Sequence, residues 1–264
     1  MSQQKRWVKK RYGELAAQER SCCGKPACTD ERAAALAERI GYRPEEAAAV
    51  PEGANLGLGC GNPLARANLA PGETVLDLGS GAGFDAFLAA ARVGPQGRVI
   101  GVDMTPEMVE KARANAAAGG YANVDFRHGD IEDLPVADAS IDLVISNCVL
   151  NLVPDKPRSF GEIVRVLKPG GRIAISDIVL DGPLPEALQS DEDAYCSCVS
   201  GAVNRAEYLR GLEDAGLTEV RVVSEADAAE LLSSECCGAG APNLAGIVTS
   251  VHVVGRKPPS CGCS

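Results

Sequence analysis

The chain has 264 residues, 45% of them hydrophobic and 23% charged, with a formal net charge of -10. That length and composition suit a soluble globular protein of one large domain, or one domain with an appendage. The acidic balance disfavours nucleic acid and anionic membranes as partners, since phosphate binding needs clustered Lys and Arg, and no run of about 18 apolar residues predicts a membrane helix.

Residues 1–20 predict a helix with Val8, Tyr12 and Leu15 on one face. Its basic start has no apolar core behind it, so it does not read as a signal peptide, and a cytoplasmic location is expected. Eleven cysteines are then the odd feature. In a reducing compartment they are expected to be thiols, pointing to metal, metalloid or redox chemistry rather than a disulfide framework. Cys22, Cys23 and Cys28 fall in SCCGKPACTD, where Gly24 and Pro26 break any helix. ERAAALAERIGY predicts the next helix, capped by Asp30 and ended by Gly41. The glycine-rich stretch from Gly53 to Pro63 reads as loop and carries Cys60.

From Thr74 strands and helices alternate. TVLDL predicts the first strand, a glycine turn follows, and FDAFLAAARVG predicts an amphipathic helix. GRVIGVDM is the second strand, ending in Asp103. TPEMVEKARANAAAGG is a helix capped by Thr105 with Pro106 at its first position. NVDFRHGD is the third strand and IDLVISNCVLNL, apart from its end, the fourth. DKPRSFGEIVRVLKPGG predicts helix and turn, and RIAISDIVL, from Arg172, the fifth strand. PLPEALQSDEDAYCSCVSGAV reads as irregular or helical and contains Cys196 and Cys198. NRAEYLRGLEDAGL is an amphipathic helix, and VRVVSEA and IVTSVHVVGRK are the last two strands. Cys236 and Cys237 lie between those strands, and Cys261 and Cys263 lie in the tail. Alternation of this kind predicts an α/β fold with a doubly wound, mostly parallel sheet of seven strands. We expect residues 1–72 to form an N-terminal helical cap with the Cys60 loop. Residues 73–180 would form the core, and residues 181–264 a substrate region with the Cys-containing tail.

The glycine turn says which ligand the core takes. Strand, small residues and a helix N-terminus form a nucleotide-site geometry. A dinucleotide fingerprint is G-x-G-x-x-G, whereas here Asp77 precedes Gly79, Gly81 and Gly83 in D-x-G-x-G-x-G. That pattern resembles the first motif of class I S-adenosylmethionine methyltransferases, whose fold is Rossmann-like. The resemblance implies S-adenosyl-L-methionine as cofactor. Asp77, Gly79, Ser80, Gly81 and Gly83 would lie at its amino-acid end. Asp103, 24 residues after Gly79, would accept from the ribose hydroxyls, with Met104 beside it. Asp130 would meet the adenine amino group and Ile131 would pack on the ring. Asn147 ends the fourth strand, where residues are delivered to the reaction. His128 could line this pocket, while His252, in a late strand, reads as structural.

The methyl acceptor is suggested by cysteines. Cys60, Cys148 and Cys198 are separated by 88 and 50 residues, too far for one local metal loop. A loop before the first strand and an insertion after the fifth can nevertheless both fold over the end of the fourth. Three thiolates meeting there would make a soft trigonal site. GANLGLGCGNP, DLGSGAGFD, GVDMTPEMVEKARANA, SNCVLNLVPDK and RVLKPGGRIAISDIV together resemble arsenite methyltransferases. The resemblance implies that Cys60, Cys148 and Cys198 hold As(III), with Cys196 the alternative to Cys198. It also places a fourth family cysteine at the Cys22–Cys23 pair. The substrate would be arsenite or thiol-complexed arsenic. Thioredoxin or glutathione would return electrons, and a monomer is favoured. Two alternatives stay open: a methyltransferase for a small organic acceptor, and a thiol-rich metalloid or metal binder. Cys28, Cys236, Cys237, Cys261 and Cys263 have no role in the family pattern. The vicinal and C-x-C pairs could relay arsenic or be adventitious thiols. Leu58 stands where some family members carry an aromatic residue.

Overall fold

The computed structural model describes residues 1–17, 30–229 and 244–260. The expectations for Cys22, Cys23, Cys28, Cys236, Cys237, Cys261 and Cys263 lie outside these residues.

Helices α1 (Gln3–Ala16), α2 (Asp30–Arg39) and α3 (Pro44–Ala48) precede the sheet. Then come β1 (Thr74–Leu78), α4 (Phe84–Val93), β2 (Arg98–Asp103), α5 (Pro106–Gly119) and β3 (Val124–His128). After β4 (Ile141–Asn147), α6 (Lys156–Val166) leads to β5 (Leu167–Leu180). Helices α7 (Glu186–Gln189), α8 (Glu192–Cys196) and α9 (Arg205–Asp214) follow, and β6 (Thr218–Asp227) and β7 (Val248–Arg256) end the order.

The seven strands form one sheet in the order β3-β2-β1-β4-β5-β7-β6. Strands β1 to β5 pair in parallel, and β7 runs antiparallel to both β5 and β6. The chain crosses over between β1 and β4, so the crevice of this open sheet lies at the carboxyl ends of those two strands. The last two strands therefore extend the core sheet, although they belong to the segment expected to form the substrate region.

Alternation along the strands divides the core. Val75, Leu143 and Ile145 face α4 and α5, where Phe87, Ala89, Val93, Val109 and Ala112 are buried. Leu76, Leu78, Val144 and Ile175 face the other way, toward Phe160, Ile163, Tyr208 and Leu212 of α6 and α9. Side chains of alternate strand residues point to opposite faces, so each strand serves both layers. Helix starts follow local chemistry: Asp155 accepts from the Arg158 N–H at 3.0 Å, and Asp191 from the Ala194 N–H at 2.7 Å. One boundary differs from expectation. Strand β5 begins at Leu167, which pairs with Ile141, and the predicted turn interrupts it before Arg172 pairs with Leu143. Gly170 takes a left-handed φ of 79° in that interruption. Among the described residues no helix is long and apolar enough to cross a membrane.

Candidate functional site

The turn after β1 is tied to β2: the N–H groups of Gly79 and Ser80 both donate to the Val102 carbonyl, at 2.8 and 3.1 Å. Gly79 has a φ of 63°, and a Cβ there would stand 2.4 Å from Val149. Only glycine lets the chain turn so tightly against the segment after β4. Asp103, at the end of β2, accepts from the Gly81 N–H at 3.0 Å and the Thr105 N–H at 2.8 Å. Those bonds fix the carboxylate and leave lone pairs for a ligand. Burial pushes the Asp103 carboxyl up, opposed by these backbone donors.

These residues border a cleft of about 1140 Å³, including its open mouth. Asp77, Gly79, Ser80, Gly81, Asp103, Met104, Asp130, Ile131 and Asn147 all line it. Gly83 does not; it caps α4 with a φ of 101°. Asp77 is fully buried, and burial, then Asp85 and Asp103, push its carboxyl well up. Its Oδ2 and the Ser80 Oγ are buried without a hydrogen-bond partner. Buried polar groups in native proteins are nearly always satisfied, so these two atoms fit a cleft built for a polar ligand. A hydroxyl-bearing, ammonium-bearing group such as S-adenosylmethionine matches this donor and acceptor set.

Sequence reading missed three residues here. Lys5 of α1 donates to Asp130 Oδ2 at 2.5 Å and also pairs with Glu132, so α1 reaches over the cleft. The Asp130 carboxylate is thus partly engaged already. Asp85 of α4 accepts from Tyr42 Oη at 2.5 Å and from Asn147 Nδ2 at 3.1 Å. Burial pushes Asp85 up to about 6 against those two hydrogen bonds. Asp85 could have been noticed, since it closes the motif GAGFD. Nothing local marks Lys5 or Tyr42. His128 is exposed, its Nε2 3.1 Å from the Met104 carbonyl.

Asn147 joins this cleft to the cysteines. Its Nδ2 also reaches the Gly61 carbonyl at 2.8 Å, and its Oδ1 accepts from the Cys60 N–H at 3.1 Å. The Cys60 loop is held from β7 as well. Ser250 Oγ donates to the Cys60 carbonyl at 2.8 Å, and the Asn62 N–H donates to His252 Nε2 at 3.1 Å. Burial pushes the His252 pKa down, which keeps that nitrogen an acceptor.

The structure gathers Cys60, Cys148 and Cys198 in one buried apolar cluster. Cys60 and Cys148 are joined in a disulfide, where thiols were expected. Their Cα atoms are 5.8 Å apart, within disulfide reach, a proximity that 88 residues of sequence separation conceal. Cys198 is a free thiol whose Sγ donates to the Cys148 carbonyl at 2.7 Å. Among the described residues no three Cys, His, Asp or Glu side chains stand as a ready metal-ion site; two of these three sulfurs are spent on each other. Five described residues other than glycine have positive φ, and two are Cys148 at 58° and Cys198 at 64°. Left-handed backbone at such residues costs about 1–3 kcal/mol and concentrates at functional sites.

The Cys198 turn is pinned to the segment after β4. Tyr195 Oη donates to the Leu152 carbonyl at 3.1 Å, and Lys156 Nζ to the Gly201 carbonyl at 2.7 Å. A Cβ on Gly201 would lie 1.9 Å from the Asn151 carbonyl oxygen. Beneath sits Asp177, accepting from Asn151 at 2.8 Å and from Tyr208 at 3.1 Å. Burial pushes Asp177 up to about 7, opposed by Ile178, Lys156, Tyr208 and Asn151.

The sulfurs border a second cavity of about 710 Å³, lined also by Arg11, Tyr12, Leu58 and Cys196. Leu58, Gly59 and Cys148 line this cavity and the first cleft alike. The two spaces therefore share a wall.

A family model described as a methyltransferase domain matches residues 69–216, more than half of the chain. An arsenite methyltransferase of Halobacterium salinarum is 48% identical over 260 residues, 95% of this chain and 66% of that protein. One from Aquipseudomonas alcaligenes is 45% identical over 183 residues, 65% of this chain and 52% of that protein. The chain thus spans about half to two thirds of these curated relatives. The crystal structure of an arsenic(III) S-adenosylmethionine methyltransferase from Chlamydomonas reinhardtii superimposes with a TM-score of 0.65. It is 33% identical, over 89% of this chain and 75% of that one.

Proposed function

The chain belongs to the arsenic(III) S-adenosylmethionine methyltransferases, and from that premise we propose that it methylates As(III) held by Cys60, Cys148 and Cys198. The observation that carries this reading is the shared wall: the three cysteines gather beside the motif-lined cleft, with Cys148 bordering both spaces.

S-adenosylmethionine supplies an electrophilic methyl group when bound. Asp103, fixed by two backbone donors, would orient the ribose. Asp77 and Ser80 would use their unmatched atoms on its amino-acid end, and Ile131 would face the adenine. Arsenic held by three sulfurs keeps a lone pair and can itself be the nucleophile, so no general base is required. That fits the histidines, each of which has its Nε2 engaged, by the Met104 carbonyl and the Asn62 N–H respectively. Rate would come from positioning and from exclusion of water.

Methyl transfer formally oxidises As(III) to As(V). Departure of two sulfurs as a disulfide returns two electrons to arsenic. Cys60 and Cys148 are the pair for this, because they are near enough to bond. A thiol reductant, thioredoxin or glutathione, would restore them. Residues 1–72 would cap the cleft, residues 73–180 would carry the cofactor motifs, and residues 181–264 would bring Cys198.

The test is cofactor consumption by the reduced chain with arsenite and thiol, with products separated by arsenic-specific detection. Methylated arsenic over many turnovers is the expected result. Tight arsenic binding without turnover would make the chain a metalloid binder, and arsenic-independent turnover would point to an organic acceptor.

A further inference from the structure

We propose that Cys196 and Cys198 form a second, two-sulfur site that keeps methylated trivalent arsenic on the chain while Cys60 and Cys148 are joined. The inference rests on the function proposed above. Among the described residues, Cys196 and Cys198 are the free thiols; both are buried, and both line the cavity that Cys60 and Cys148 also border. Residues two apart on a continuous helix do not share a face. Here α8 ends at Cys196, and Cys198 leaves helical geometry with a φ of 64°, so the two thiols border one space. Two backbone contacts hold the pair: Tyr12 Oη donates to the Cys196 carbonyl at 3.2 Å, and the Cys198 N–H to the Tyr195 carbonyl at 3.0 Å. The Arg11 guanidinium lines the same cavity, 3.2 Å from Asp193. Burial pushes the Cys196 thiol up to about 11, and Arg11 opposes that shift.

The electron count shows why a second sulfur matters. Methyl transfer to arsenic bearing three sulfurs gives a pentavalent methylarsenic cation. Loss of the Cys60 and Cys148 sulfurs as a disulfide reduces it to methylarsenic(III), with Cys198 its remaining sulfur. Arsenic then lacks one anionic ligand. The Cys196 thiol fills that position: an S–As bond forms and its proton leaves to water. Without it, water supplies a hydroxide ligand and the single-sulfur complex exchanges readily.

Peptide mapping can test this on the full chain. The protein is kept oxidised at Cys60–Cys148, given methylarsenite, freed of excess, digested with trypsin and examined by mass spectrometry. The tryptic peptide spanning residues 173–205 contains Cys196 and Cys198 and no other cysteine. It should carry one methylarsenic group bridging both sulfurs. In Cys196→Ser that label should fall at least tenfold. An unlabelled peptide in the wild type, or equal labelling in Cys196→Ser, overturns the inference, as does label found instead on the peptide bearing Cys22 and Cys23. The wild-type map decides the question even if the variant does not fold. Arsenite methylation by the reduced wild type is measured in parallel. Its absence overturns the proposed function, whereas its presence with no Cys196-dependent label overturns this inference alone.

Discussion

The cofactor cleft and the thiol cavity share a wall, yet they are held together by different means. The floor of the cleft, where the cofactor motifs lie, is built by one short segment and its neighbouring strands. Gly79 and Ser80 donate to Val102, and Gly81 and Thr105 donate to Asp103, all within about a turn of the strand ends. The cavity is assembled from three distant segments, two of them tied down by long-range side-chain contacts. Cys60 depends on Asn147 and Ser250, and the Cys198 turn on Tyr195 and Lys156. Backbone bonds of adjacent strands come with the sheet. A cavity stitched by side chains can change with the bonding of its sulfurs while the cleft stays as it is.

The largest expected effect separates the two regions outright. Cys148→Ser and Cys198→Ser should each lower arsenite methylation by on the order of a hundredfold or more, the scale of lost positioning. Cys60→Ser should do the same with arsenite but retain activity on methylarsenite, which needs only two sulfurs. The losses should not add, because one missing sulfur already removes the geometry. Affinity for S-adenosylmethionine should persist in Cys60→Ser and Cys198→Ser. Full arsenite turnover by Cys148→Ser or Cys198→Ser, read by arsenic-specific chromatography, would remove the three-sulfur site.

Asn147→Ala should blur the comparison, since one amide serves both regions. We expect the KM for arsenite and the Kd for S-adenosylmethionine to rise together. A change in only one would mean the regions are independent. Asp103→Ala should act on the cleft alone, weakening cofactor binding by about 1–3 kcal/mol because it strands ribose hydroxyls. Calorimetry showing unchanged affinity would take Asp103 out of the site, and arsenic bound per chain should stay constant.

A smaller effect concerns the ground beneath the Cys198 turn. The folded-state pKa of Asp177 is raised by burial to about 7. A raised carboxyl contributes stability that is complete below its unfolded value, about pH 4, and is lost as pH rises through its folded value. Asp177→Asn keeps an acceptor for Asn151 and Ile178 and cannot ionise. Thermal melts should show the variant gaining on the wild type by on the order of a few kcal/mol between about pH 4 and 7, and no further above that. Parallel melting curves across that range would show that Asp177 does not titrate there. The smallest effect should follow deletion of Pro258 to Ser264. Turnover at saturating arsenite should hold while arsenic bound per chain falls, and lost turnover would bring the tail into the reaction.

The alternation of strands and helices, the glycine turn and the strand-end acids were legible because each is a local constraint. A parallel strand needs an apolar run, a tight turn needs glycine, and Asp103 needs only to end the strand beside that turn. Cys60, Cys148 and Cys198 could be picked out by their motifs, but spacing says nothing of distance across 88 residues. Tertiary structure decided that Cys60 and Cys148 approach to 5.8 Å between Cα atoms and bond to each other. It decided that Cys196 joins Cys198 at one cavity, and that Lys5 and Tyr42 reach Asp130 and Asp85. Neither Lys5 nor Tyr42 carries a local signal, because each acts through a neighbour brought near by the folding of the whole sheet and its cap.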